Sequence, residues 1–222
     1  MTSQPAGPAL GRLHVITDEV LQTRFSHAEV AKLALAGGAD AIQYREKRPL
    51  LTRELVVVAG AIADACRAAG ATSIVDDRAD VAAAVQASGI HLGRDDLEVA
   101  VARCLLGDGF LIGGTANSLE EARRVFATPV DYVGIGPVFG TASKANPAPV
   151  MGLGVLRSIC AESPVPVIAI GNITVDCVED VLDTGAYGIA VLSAITCADD
   201  PTAAARGFSD RIQRWLAARS KA

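Results

Sequence analysis

Short apolar runs alternate with longer stretches of helical period along the chain, and the alternation repeats eight times. Residues 13–17 read as a first strand. Residues 28–36 follow with helical spacing and stop at Gly37-Gly38, which suits a C-cap. A second strand over 41–45, a helix over 52–69 ending at Gly70, a third strand over 72–76 and a helix over 79–86 continue the rhythm. The remaining strands fall at 90–92, 110–113, 132–134, 166–170 and 188–192, with helices between them. An open doubly wound sheet has the same alternation, but eight units in 222 residues favour closure into a single (β/α)8 TIM barrel. Residues 1–11 are expected as a flexible N-terminal segment and 12–222 as the barrel domain. Between 137 and 149 no period is discernible, and a long loop after strand six, carrying hydroxyls and a cation, suggests a phosphate-handling lid.

The composition adds constraints. Half of the residues are hydrophobic but only 4% are aromatic, which fits buried parallel strands under Ala-rich helices. A net charge of -5 without basic runs argues against nucleic acid. No stretch is long and apolar enough for a membrane span, and the N-terminus lacks the form of a signal peptide, so a cytoplasmic protein is expected. Cys66, Cys104, Cys160, Cys177 and Cys197 are scattered and read as small core hydrophobes. Neither they nor His14, His27 and His91 have zinc-ligand spacing.

In a barrel of this kind the chemistry belongs at the C-terminal strand ends. Gln43, Arg45 and Lys47 alternate at the end of strand two, so extended backbone sends an amide and two cations to one side. A phosphate or diphosphate clamp follows, unless the strand end is merely solvated with Arg45 paired to Glu46. Asp76-Asp77 ends strand three and Asp95-Asp96 follows strand four. One carboxylate from each could share Mg²⁺, or Asp77 and Asp96 could simply start helices. Thr141, Ser143 and Lys144 gather in the long loop. Gly171-Asn172 and Leu192-Ser193 end strands seven and eight, where barrels commonly bind phosphate through backbone N–H groups. Two anionic groups are implied, one near strands two to four and one near strands seven and eight.

The segments 43–47 (QYREK), 77–80 (DRAD), 91–93 (HLG), 132–137 (YVGIGP), 141–144 (TASK) and 191–195 (VLSAI) occur in the order found in thiamine-phosphate synthases, which this chain strongly resembles. The resemblance implies small-molecule substrates: 4-amino-2-methyl-5-(diphosphooxymethyl)pyrimidine and a phosphorylated hydroxyethylthiazole, giving thiamine phosphate and diphosphate. It implies a pyrimidine-diphosphate site formed by 43–47, that is Gln43, Tyr44, Arg45, Glu46 and Lys47, with Asp76 beside it. Asp77 and Asp96 would hold Mg²⁺, Thr115 would lie near the reacting pyrimidine, and Lys144 would reach the diphosphate. Thr141, Ala142, Ser143, Asn172, Leu192 and Ser193 would cradle the thiazole phosphate. Arg45, Lys47, Thr115 and Lys144 are then the catalytic set. A homo-oligomer is left open.

Four positions depart from the family pattern. Asp76 stands where Asn is usual, and two like charges about 4 Å apart repel by about 4 kcal/mol at an effective dielectric near 20. Asp76 is therefore expected to be metal-bound, protonated or turned away, with Arg94, in place of a common Gln, offsetting it. Asn172 replaces a common Gly, tolerable because Asn accepts left-handed backbone. Asn117 replaces a frequent His, which counts against the alternative of a thiazole tautomerase-like paralogue. A third alternative is a barrel that binds thiamine precursors without turnover.

Overall fold

The computed structural model describes residues 9–141 and 148–220. Eight strands close a parallel barrel in chain order: β1 (Leu13–Thr17), β2 (Ala41–Tyr44), β3 (Thr72–Asp76), β4 (Gly89–Leu92), β5 (Leu111–Ala116), β6 (Tyr132–Ile135), β7 (Val167–Ile170) and β8 (Gly188–Val191). The last strand pairs with the first through Leu13 and Ile189. Around them lie α1 (His27–Ala36), α2 (Thr52–Ala69), α3 (Ala79–Ala84), α4 (Val99–Leu106), α5 (Leu119–Phe126), α6 (Gly152–Glu162), α7 (Val178–Leu182), a short α8 (Ser193–Thr196) and α9 (Pro201–Arg219).

The period of two within each strand separates two cores. On β1, Leu13 and Val15 face the helices and join Ile42, Val75, Ile90, Ile112, Val133 and Ile189 in the outer core. Ile16 faces inward and packs with Ala41, Ile74, Tyr132, Ile168 and Ala190 in the barrel interior. Glycine makes room there for rings: a Cβ on Gly113 would lie 2.1 Å from the Tyr132 ring, and one on Gly134 would lie 2.8 Å from His91.

Local chemistry explains the helix ends. Ser26 and Glu29 form a capping box at the start of α1, with Ser26 N–H donating to the Glu29 carboxylate at 2.8 Å. Gly70 closes α2 in the left-handed region at φ 68, a conformation cheap only without a Cβ.

The expected strands and helices recur, several of them with shifted edges. Strand two stops at Tyr44, so Arg45 and Lys47 belong to the following loop. Strand five runs on past Gly113 to Ala116, because the Gly113-Gly114 pair fits the ladder to β6. The segment ahead of β1 is packed where described: Leu10 rests on the interior cluster, and Thr72 Oγ1 donates to the Ala9 carbonyl. The cysteine expectation holds fully only for Cys66. Cys160 and Cys177 are half-buried, and Cys104 on α4 and Cys197 in the turn after α8 are exposed. Among the described residues no helix is long and apolar enough to cross a membrane.

Candidate active site

The C-terminal strand ends surround a cavity of about 1030 Å³ that descends into the barrel. Gln43, Arg45 and Lys47 line it together. Tyr44 and Glu46 alternate to the other side and lie behind this wall. The Tyr44 ring meets His27 edge-on at 4.8 Å, and the Glu46 carboxylate accepts from Arg48 and lies 3.2 Å from His27 Nε2. Burial pushes Glu46 upward, but the Arg48 hydrogen bonds outweigh it and leave its pKa at about 2. Arg45 does not pair with Glu46. It donates to Asp18, a carboxylate only 2% exposed that also accepts the Val20 and Leu21 N–H groups at 2.7 and 2.9 Å.

Asp76 is neither turned away nor opposed to Asp77 without relief. Its Oδ1 accepts from Gln43 Nε2 at 2.7 Å, its Oδ2 lies 3.2 Å from Lys47 Nζ, and the same ammonium donates to Asp77. Burial, then Asp77, raise the Asp76 pKa to about 6, with Lys47 opposing. Burial also favours the neutral form of Asp77, but the Lys47 hydrogen bond prevails and its pKa falls. For Lys47, burial acts downward and the two aspartates carry the net shift upward. Arg94 does not offset Asp76: it turns to Asn117 Oδ1 at 3.2 Å and Glu121 at 3.4 Å.

Asp77 and Asp96 do not start helices. Asp77 is held in the left-handed region at φ 63, with its N–H donating to the His91 carbonyl at 2.9 Å. Asp96 accepts from Gly93 N–H at 2.7 Å, and its pKa is raised by burial and then by the adjoining Asp77 carboxyl. Among the described residues no group of three or more His, Cys, Asp or Glu side chains is arranged to hold a metal. The Asp77 and Asp96 carboxyls adjoin each other at neighbouring strand ends.

Deeper in the barrel, His91 lies between Tyr132 OH (3.1 Å from Nδ1) and Thr115 Oγ1 (2.8 Å from Nε2). Thr115 therefore lines the cavity beneath the charged mouth. His14 also lines it. The ring is 1% exposed, its Nε2 has no hydrogen-bond partner among the described residues, and burial lowers its pKa to about 4. On the opposite side Thr141, Asn172, Leu192 and Ser193 line the cavity, with Asn172 in the left-handed region at φ 49. Ala142, Ser143 and Lys144 lie outside the described residues.

Among the residues not foreseen from sequence as cavity-lining or as partners are Asp18, His14, His91 and Tyr132. Their signal was positional. Asp18 directly follows β1, and His14 stands two residues before inward-facing Ile16 on the same strand.

Comparisons with known proteins agree with this geometry. The family model described as thiamine monophosphate synthase matches residues 13–195. A thiamine-phosphate synthase of Salinibacter ruber is 46% identical over 95% of this chain and 92% of its own length. That of Methanoculleus marisnigri is 47% identical over 90% and 94%. Among solved structures, a thiamine phosphate pyrophosphorylase from Pyrococcus furiosus superposes with a TM-score of 0.84 at 38% identity, covering 92% of this chain and 96% of that one. A 3-hexulose-6-phosphate synthase at 21% identity and TM-score 0.65 shares the barrel fold. Family model, curated relatives and solved structure converge over nearly the whole length: the chain belongs to the thiamine-phosphate synthase family.

Proposed function

We propose that the chain joins 4-amino-2-methyl-5-(diphosphooxymethyl)pyrimidine to 4-methyl-5-(2-phosphooxyethyl)thiazole, releasing diphosphate and forming thiamine phosphate. The observation that carries this reading is the meeting of Gln43, Arg45, Lys47, Asp76, Asp77 and Asp96 at one mouth above a deep floor lined by Thr115, His91 and His14. A diphosphate fits the charged mouth and a flat polar ring fits the floor.

In the reaction the methylene–oxygen bond breaks and its electron pair leaves with the diphosphate. The electron-rich aminopyrimidine shares the positive charge at the methylene carbon, and the thiazole nitrogen lone pair then forms the new C–N bond. No protein nucleophile is required, so the chain's task is to neutralise the leaving group, align the two rings and exclude water. Arg45, held by Asp18, and Lys47, beside Asp76 and Asp77, are positioned for the first task. We assign Lys144 to the same task and Thr115 to the pyrimidine. Thr141, Asn172, Leu192 and Ser193 are assigned to the thiazole phosphate.

Charge balance supports a divalent cation. Arg45 is engaged by Asp18, Arg94 by Glu121, and Lys47 is shared by Asp76 and Asp77, so the described mouth holds carboxylates in excess. An entering diphosphate would be repelled unless a cation came with it. Asp77 and Asp96 fit Mg²⁺ as hard oxygen donors on adjacent strand ends. Bound there, Mg²⁺ supplies positive charge to the leaving diphosphate.

The test supplies both substrates to purified protein with and without Mg²⁺ and follows thiamine phosphate by mass spectrometry. Mg²⁺-dependent product is expected. No product from folded protein that still binds either substrate would overturn the reading.

A further inference from the structure

Strand β2 ends at Tyr44, so residues 45–48 lie beyond the barrel's ladder, and side chains must hold the turn that sends Arg45 and Lys47 into the cavity. Glu46, between them, faces the other way. Its carboxylate is 4% exposed and accepts from the Arg48 N–H at 2.8 Å and from Arg48 Nε at 2.9 Å. Arg48 in turn meets Glu19 at 2.7 Å, in the loop after β1. At the centre of this group lies His27, the first residue of α1, with a wholly buried ring. The titratable and charged groups facing that ring are Glu19 from the loop after β1, Tyr44 on β2, and Glu46 and Arg48 from the loop after β2.

The partners of the ring decide where its proton sits. Nε2 lies 3.2 Å from Glu46 and 3.8 Å from Glu19, and carboxylates only accept. Nδ1 lies 2.7 Å from the Thr17 hydroxyl, which can donate to it. Burial lowers the pKa of the ring, with Glu19 and Glu46 opposing, so near neutral pH it carries a single proton, and that proton belongs on Nε2. We propose that His27 is a positioning residue: by donating Nε2–H to Glu46 it fixes the 45–48 turn and so aims Arg45 and Lys47 at a diphosphate. The inference rests on the proposed diphosphate site. It gives α1, which contributes no side chain to the cavity wall, the support of the clamp on that wall. A turn without this support must be ordered by the ligand as it binds, at a cost in affinity.

The experiment is calorimetric titration of the full chain with inorganic diphosphate and Mg²⁺, for the wild type, His27→Gln and His27→Asn. The glutamine amide reaches the place of Nε2 and can donate to Glu46. The asparagine amide reaches only the place of Nδ1, so it keeps Thr17 and loses Glu46. Diphosphate affinity should fall about tenfold in His27→Asn, the scale of one hydrogen bond to a charged group, and stay within about threefold of wild type in His27→Gln. In steady-state kinetics His27→Asn should raise KM for the pyrimidine diphosphate and change KM for the thiazole phosphate by less than about threefold, since that ligand is assigned to the β7 and β8 side. Nitrogen-15 NMR of the wild type, which has three histidines, should find His27 Nε2 protonated near neutral pH and keeps the test open if His27→Asn fails to fold. An unprotonated Nε2, equal losses in the two variants, or an equal rise in both KM values would overturn the proposal. A wild type that binds no diphosphate would refute the clamp itself, whereas unchanged binding in folded His27→Asn would refute only the part given to His27.

Discussion

His14 ties acid stability to the floor of the cavity. The ring is buried in the folded chain, its pKa is lowered from 6.5 to about 4 by that burial, and in the unfolded chain it returns to 6.5. Between those values the unfolded chain binds a proton that the folded chain refuses. The slope of unfolding free energy with pH is therefore positive: the contribution is intact above 6.5 and is lost as pH falls toward 4. At about 1.4 kcal/mol for each tenfold change in proton affinity, the loss reaches about 3 kcal/mol at pH 4. That is a sizeable share of the roughly 5–15 kcal/mol that holds a domain of this kind folded. Asp76 works the other way, since a carboxyl raised to about 6 stabilises the fold at low pH and loses that contribution as pH rises. The wild-type curve alone would therefore mix the two. The informative quantity is the difference between wild type and His14→Phe, in which Asp76 is common to both. Urea denaturation at intervals from pH 7.5 to 4.5 should find the variant gaining on the wild type by about 2–3 kcal/mol across the series. A difference that stays constant with pH would refute the argument, because it would mean that His14 protonates as readily folded as unfolded.

Other expectations test different parts of the site. Lys144→Ala should abolish turnover with an unchanged thermal melt; preserved turnover would remove this lysine from the leaving-group apparatus. Asp18→Asn should destabilise by about 3 kcal/mol, because it leaves Arg45 without its buried partner. The same variant should raise KM for the pyrimidine diphosphate about tenfold, and an unchanged KM in steady-state kinetics would mean that Arg45 needs no anchor. Gly113→Ala sets a Cβ against the Tyr132 ring and should cost about 1–3 kcal/mol in a denaturation series, with no loss if the barrel yields there without strain.

Much of the fold was legible because its determinants are local and repeated. The edges of β1, α2 and β3 coincide with those read from apolar spacing and from Gly70. β5 runs beyond the Gly113 end that apolar spacing gives it for the opposite reason: only the neighbouring Tyr132 ring and the ladder to β6 make glycine the residue that a strand needs there. The cysteines show the same limit, since Cys104 and Cys197 face solvent although nothing next to them in sequence marks them as exposed.

For the site, position could be read but partnership could not. Gln43, Arg45 and Lys47 reach one cavity because alternation is a property of one segment. Which carboxylate each group meets depends on strands far away in sequence. Arg45 finds Asp18 across 27 residues, and Gln43 finds Asp76 across 33. The apparent conflict at Asp76 illustrates the consequence. Judged against its neighbour Asp77, the residue is an electrostatic liability, whereas in the barrel the closure of β2 on β3 brings Lys47 between the two carboxylates. The substitution that looked like a handicap along the chain is compatible with the site because a cation from the adjacent strand end meets both charges. Its cost depends on Lys47 remaining there, so when a diphosphate draws Lys47 toward itself the two aspartates must find other positive charge. Under the proposed reaction, a divalent cation arriving with the substrate would meet that requirement.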